Sequence, residues 1–408
     1  MSTSYQKTVK KSISPKAYKY KQKILVSLTI IAMLFLLLGT VGCNFSAAFA
    51  WYEGSNEHDH LPTVMNAGET LTITRSHFDH LDIDFNRFEI WVHSENGERI
   101  LRSGCARPTS TVVSIRGNTI TAGHSGHVMI AATLIGRENG LRRERNVWVT
   151  SLHVINEAIM THITTPQELA DINNNLDGHF ILMADIDLAD FGEWVPIGRS
   201  ESMFSGMLVN PHGYVIENLT ITTSKTDTTM RGTLSEIGLF GIIIDKAFIY
   251  GIILEDIYIN VSDFEGEAIG SPDIGGIAGF SNRGARIVNS QVSGTLVGAG
   301  FRTGGIVGGN FAFITGSVFE GKIVGPVSFS DHTVSVGGIA GGHAVLYDGY
   351  LFNNRVYATI IGNFANAGGI VGFNHIGLPT NNFFYGSISG RNVGEIIGYD
   401  NGRHFTTR

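Results

Sequence analysis

From about residue 61 to 155 the chain alternates apolar and polar positions in short runs: Thr70 to Thr74, Phe88 to Val92, Thr111 to Ile115, His127 to Ala132 and Val147 to Val154. Period-two alternation puts one face of each run in a core and the other in water, and Asn96-Gly97 and Arg116-Gly117-Asn118 mark turns between runs. The pattern predicts a small antiparallel β-sandwich over 61–155. It changes near Ile163. Thr165-Pro166-Gln167-Glu168 is a capping box with proline at the first helical position, so a short capping helix is expected over 165–174, with Leu169, Ile172 and Leu176 on one side. His179 to Leu188 then reads as one strand carrying Asp185 and Asp187 on one face and Ile186 and Leu188 on the other.

Six related segments follow: Ile237-Gly-Leu-Phe-Gly241, Ile274-Gly-Gly-Ile-Ala-Gly279, Thr303-Gly-Gly-Ile-Val-Gly308, Val336-Gly-Gly-Ile-Ala-Gly341, Ala367-Gly-Gly-Ile-Val-Gly372 and Val393-Gly-Glu-Ile-Ile-Gly398. Their first glycines, Gly238, Gly275, Gly304, Gly337, Gly368 and Gly394, lie 37, 29, 33, 31 and 26 residues apart, a period that belongs to solenoids and arrays. Between them the chain is β-branched or aromatic and broken by glycine, as in Ala285 to Val297, which excludes helical repeats. Each unit is expected to form one rung of short strands, stacked in parallel on its neighbours at about 4.8 Å. Ile277, Ile306, Ile339, Ile370 and Ile396 should form an interior ladder, and the paired glycines Gly275-Gly276, Gly304-Gly305, Gly337-Gly338 and Gly368-Gly369 should allow corners and close backbone approach.

These units resemble the GLUG-motif repeats of bacterial surface and secreted proteins. Ile287-Val-Asn-Ser290 fits that motif well, Asn353-Asn354 and Asn381-Asn382 fit loosely, and Ile314-Thr-Gly-Ser317 lacks the asparagine. The lead-in, with Trp194-Val-Pro-Ile-Gly198 and Gly213 to Ile221, resembles the segment that opens such arrays. Earlier in the chain, Val113 to Gly123 and Gly126 to Thr133 resemble the C-terminal half of bacterial Ig-like domains of invasin type. The resemblances imply an all-β chain, with an Ig-like sandwich over 61–155 as spacer and a right-handed parallel β-helix over 160–400, followed by a polar tail, 401–408. Some proteins with GLUG repeats are metallopeptidases that cleave immunoglobulin A, but no His-Glu-x-x-His motif occurs here.

Residues 1–23 hold seven lysines and no acid, and an apolar run follows from Ile24 to Val41. With Ala48-Phe49-Ala50 before Trp51, this reads as a secretory signal cleaved after Ala50. An uncleaved membrane anchor, and a lipoprotein acylated at Cys43 in Thr40-Val-Gly-Cys43, are the other readings, and all three export the rest of the chain to the surface or medium. Residues 51–60 are a polar linker. Without 1–50 there are 22 basic and 36 acidic residues, a net charge of −14. That balance disfavours nucleic acid, and the membrane is met only through the N-terminal segment. Cys105 is then the one cysteine, so a disulfide framework is ruled out.

Catalysis on stacked rungs needs paired carboxylates, or a base beside an acidic metal site. From Ile274 to Gly398 the acids are Glu320, Asp331, Asp348 and Glu395, at unrelated places in their units. Asp185, Asp187, Asp190 and Glu193 form an acidic cluster before the repeats; it reads as solvated turn acids or, at Asp185, Asp187 and Asp190, as a Ca²⁺ site. The histidine pairs His58-x-His60 and His77-x-x-His80 read as surface residues, and no catalytic residue or resident cofactor is assigned. The expected function is non-enzymatic: an exported adhesin that offers its repeats as an extended surface to an extracellular glycan or protein, with Phe352, Tyr357, Phe383 and Phe384 as stacking candidates. The alternatives are a carbohydrate-active enzyme centred on Asp185 to Glu193, and a structural spacer whose open end is capped by a partner or stacks end to end.

Overall fold

The computed structural model describes residues 64–403, apart from 82–83, 94–98, 103–110, 139–140, 223–235, 262–271, 299–300, 326–333, 345–350 and 378. The expectations for 1–50, with Cys43, Ala48 and Ala50, for the linker 51–60, and for Cys105, His58 and His60 lie outside the described residues. Within them the chain is all-β with one short α-helix, Pro166–Ala170, and no helix is long and apolar enough to cross a membrane.

The first part has two sheets. One runs in the order Val64–Asn66, Leu141–Ile155, Gly126–Glu138, Arg87–His93, Arg99–Arg102, and the other in the order Thr70–Thr72, Thr119–Ala122, Val113–Arg116. All pairings are antiparallel except that of Val64–Asn66 with the end of Leu141–Ile155. The alternating runs supply the core: Ile90, Val92, Ile120, Ile130, Leu134 and Leu152 are fully buried.

The capping box forms as its sequence requires. The Thr165 side chain accepts from Glu168 N, and Glu168 reaches back to the Thr165 backbone, so two otherwise orphaned donors are satisfied. A 3-10 turn, Asp171–Asn174, continues it, with Leu169 and Ile172 buried. The following segment differs from the expected single strand. It divides into His179–Leu182 and Ile186–Asp187, which enter different sheets, so the chain turns a corner at Met183 to Asp185.

From there four parallel sheets are built, one strand per unit. The unit after Pro272 is representative: Asp273–Gly275, Ala278–Ser281, Arg286–Val288 and Gln291–Val297, which we call its first to fourth strands. Each pairs in parallel with the same strand of the next unit: Arg302–Gly304, Val307–Asn310, Phe313–Thr315 and Val318–Val324. Exactly two residues separate the first from the second strand and the third from the fourth in this unit and the next. The passage from a fourth strand to the next first strand varies: 12 residues before Asp273, four before Arg302 and ten before Ser335.

The repeat residues fill three kinds of place. Ile277, Ile306, Ile339 and Ile370 are fully buried and bonded in series, each N–H donating to the next isoleucine's carbonyl, and Ile396 ends the series half-buried. The second glycine of each pair faces the core: a Cβ on Gly276 would lie 2.6 Å from Val292 Cγ1, and one on Gly305 would enter the Phe319 ring. The last glycine abuts the backbone of the preceding unit, as Gly398 does at Ala367 N, 2.6 Å from an added Cβ.

A buried polar ladder marks the corner between the third and fourth strands. Ser317 Oγ accepts from Ser290 N (3.3 Å), Asn354 Oδ1 from Ser317 N (2.9 Å), and Asn382 Oδ1 from Asn354 N (2.9 Å). The residue before each of them is left-handed: Asn289 at φ 50°, Gly316 at 63°, Asn353 at 56° and Asn381 at 52°. Gly316 therefore supplies the same backbone as the asparagine that its unit lacks. Because Asn354 also donates to Ile314 O (3.0 Å), N354A should strand two buried backbone groups of the preceding unit, Ser317 N and Ile314 O. We expect a loss of about 2–3 kcal/mol, read from urea unfolding.

Candidate binding groove

The residue after each unit's last glycine points away from the interior ladder. After Ile242 of the first unit these residues are, in register, Phe280, Gly309, Gly342, Phe373 and Tyr399. Phe373 and Tyr399 stack with ring centroids 5.5 Å apart and 11° between planes. At Gly309 and Gly342 the row has no side chain, so between Phe280 and Phe373 three rung spacings, about 14 Å, are left open.

Arg302 partly fills that gap. A Cβ on Gly342 would lie 2.5 Å from Arg302 Cδ, and one on Gly309 would lie 2.8 Å from its Cζ, so the two glycines are where the arginine crosses the sheet. Its guanidinium donates through Nε to Asp273 Oδ1 (2.8 Å) and through Nη2 to Asp273 Oδ2 (2.5 Å), a planar fork on a carboxylate. It also lies 5.4 Å from the Phe280 centroid and 5.3 Å from that of Phe301. Burial raises the Asp273 pKa, the Arg302 bonds oppose that, and Glu236 adds to it.

The remaining space is a cavity of about 320 Å³. Phe301, Phe311 and Phe373 give it aromatic walls, and Gly342 lies between them. Ser335 and Asn366, which follow Asp273 and Arg302 along the first-strand ladder, give it a polar edge, with Asn366 Nδ2 donating to Ser335 Oγ (3.0 Å). His343 is buried beside them and stays neutral: burial lowers its pKa to about 3. Asn310 fixes its tautomer. Asn310 Oδ1 accepts from Ala312 N, so Nδ2 must face His343 Nδ1 (3.0 Å), which therefore accepts and leaves the proton on Nε2. Arg302 is paired with Asp273 and His343 is uncharged, so the arrangement suits an uncharged ring: flat apolar faces with amide, hydroxyl and imidazole groups at the margin.

The acids expected as a site are placed otherwise. Asp185 Oδ1 accepts from Val215 N (2.8 Å), Asp187 Oδ1 from Ala189 N (2.9 Å) and Asn218 Nδ2 (2.8 Å), and Glu193 from Thr222 N and its hydroxyl. The Ala189 bond, then that of Asn218, holds the Asp187 carboxyl below its usual range. Asp190 is exposed. Asp185, Asp187 and Glu193 thus tie their segment to Val215 to Thr222, and among the described residues no group of three His, Cys, Asp or Glu is placed to hold a metal ion. Of the stacking candidates, Tyr357 and Phe383 are exposed, while Phe352 and Phe384 are half-buried. Tyr357 stacks on Tyr385 at 5.0 Å and 12°, a second outward aromatic pair. The polar tail begins later than 401, because the last strand, Ile397–Arg403, takes in its first residues.

Arg302, His343 and Phe373 are absent from the candidates that the sequence suggests. Of these Phe373 has a local signal, the column after the last glycine of each unit, which reads Ile, Phe, Gly, Gly, Phe, Tyr once the units are aligned.

No family model matches the chain, and no curated protein matches it. Among solved structures the chain is similar to a proposed immunoglobulin A1 protease from Bacteroides ovatus, at 18% identity and a TM-score of 0.42, over 59% of this chain and 71% of that one.

Proposed function

We propose that this is an exported bacterial protein in which an Ig-like spacer carries a right-handed β-helix of GLUG type, and that it works by binding, without catalysis. The ligand class we assign is a neutral glycan, one sugar ring of which enters the groove between Arg302 and Phe373. The glycine gap in the aromatic row carries this reading: it opens a ring-sized, aromatic-walled space on the outer face, with the Arg302 charge at its edge paired to Asp273. The Tyr357 and Tyr385 pair offers a further stacking surface for a longer chain.

Titration of the full chain with a panel of neutral and acidic oligosaccharides tests the proposal. Binding of a neutral oligosaccharide is expected, with about tenfold or greater loss in F373A, which removes a stacking wall, and in G342L, which fills the cavity. Wild-type affinity in both variants, or no binding across the panel, would defeat it. New reducing or unsaturated ends would instead favour a carbohydrate-active enzyme.

A further inference from the structure

A second cavity, of about 200 Å³, lies where the antiparallel sheets meet the parallel ones. His127, from Gly126–Glu138, and His153, from Leu141–Ile155, reach it from one side. From the other come His179, at the start of His179–Leu182, Ser205 from the passage before Met207–Val209, and Lys246 from the turn before Phe248–Tyr250. The imidazoles are held by packing. His127 stacks on His153 with centroids 4.3 Å apart, His153 stacks on Phe248 at 3.6 Å, and His179 Nδ1 is bonded to Ser125 Oγ (2.7 Å).

Three imidazoles and an ammonium group thus surround one small space, and among the described residues no carboxylate lines it. Charged groups bear on it as well: Arg286 acts on His127, and Lys246 acts on His179, with Asp177 opposing at His179. Burial, ahead of these charges, keeps His127 and His179 neutral. Taking up a proton here would require a counter-charge, and the half-polar walls with a serine hydroxyl provide donors for one.

We propose that this junction cavity binds a small inorganic oxyanion, phosphate or sulfate, among His127, His153, His179 and Lys246. The ion brings negative charge to the imidazoles, so anion and protons bind together and each strengthens the other. Since its ligands come from both sets of sheets, the bound ion ties the two parts of the chain.

The test is thermal unfolding and calorimetric titration of the full chain in phosphate, sulfate and chloride at matched ionic strength, at about pH 5.5 and about pH 8. Phosphate and sulfate should raise the Tm at the lower pH and have little effect at the higher one, with proton uptake seen as a dependence of the binding heat on buffer ionisation enthalpy. K246M removes an exposed charge and H179Q keeps a polar side chain, so both should fold and lose about tenfold in phosphate affinity. If chloride stabilises as well as phosphate, or if both variants bind phosphate like the parent, the inference is overturned.

Discussion

G305A is expected to destabilise the protein by about 3 kcal/mol or more, enough to make much of it insoluble on expression. The added Cβ would overlap both the Phe319 ring and the carbonyl oxygen of Gly338 in the next unit. A ring can turn, but the carbonyl belongs to a backbone bonded to the units on either side, and it cannot retreat without breaking register. The control is G213A. At Gly213 φ is 78° and nothing lies within 4 Å of the added carbon, so that variant carries only the backbone cost, about 1–2 kcal/mol. Urea unfolding followed by tryptophan fluorescence separates the two; equal losses would show that the core has room at Gly305.

Acid should weaken the fold well above the pH at which carboxylates titrate. His343 and His127 are both held neutral by burial, with pKa lowered to about 3 from 6.5. The unfolded chain takes up protons at these positions from about pH 6.5 downwards while the folded chain does not. Their contribution is therefore complete above about pH 6.5 and is lost as the pH falls from there towards 3, on the order of a few kcal/mol for each group over the whole range. Asp273 acts in the opposite sense, since its raised pKa means a cost that protonation relieves, although protonation also loosens the Arg302 fork. Unfolding free energy measured in chloride from about pH 8 to about pH 4 should decline steadily below about pH 6.5. In H343Q, which keeps an acceptor for Asn310, the slope should be shallower. A flat profile would mean that the two imidazoles are solvated in the folded state.

How much of this was legible depended on how local each determinant is. The capping box, the interior isoleucines and the glycine units all announce themselves within six residues, and the structure places Ile277 to Ile370 in the core as that spacing suggests. The corner at Met183 to Asp185 was not legible, because the apolar run Phe180 to Ala184 passes straight into the Asp185 to Leu188 alternation and does not say when a strand leaves one sheet for another. The groove was least visible. Phe280, Gly309, Gly342 and Phe373 lie about thirty residues apart, and only pairing between units sets them side by side. Gly342 looks like one more repeat glycine, yet Gly341 beside it meets backbone whereas Gly342 faces the Arg302 side chain. The ladder Ser290, Ser317, Asn354 and Asn382 is half visible in the sequence: the motif's asparagines stand out, but their exchange with Gly316 follows only from the shared left-handed backbone.

The uneven passages between fourth and first strands separate what selection can alter from what it must keep. The two-residue corners transmit register, so a change of length there would shift every later rung. The variable passage ends at Phe301, a wall of the groove, directly before the Arg302 strand. Lengthening it adds chain at small entropic cost and leaves the hydrogen-bonded ladders alone. Recognition can therefore diversify by insertion and deletion at one edge of the stack while the scaffold is inherited intact, much as a handle is exchanged on a fixed shaft.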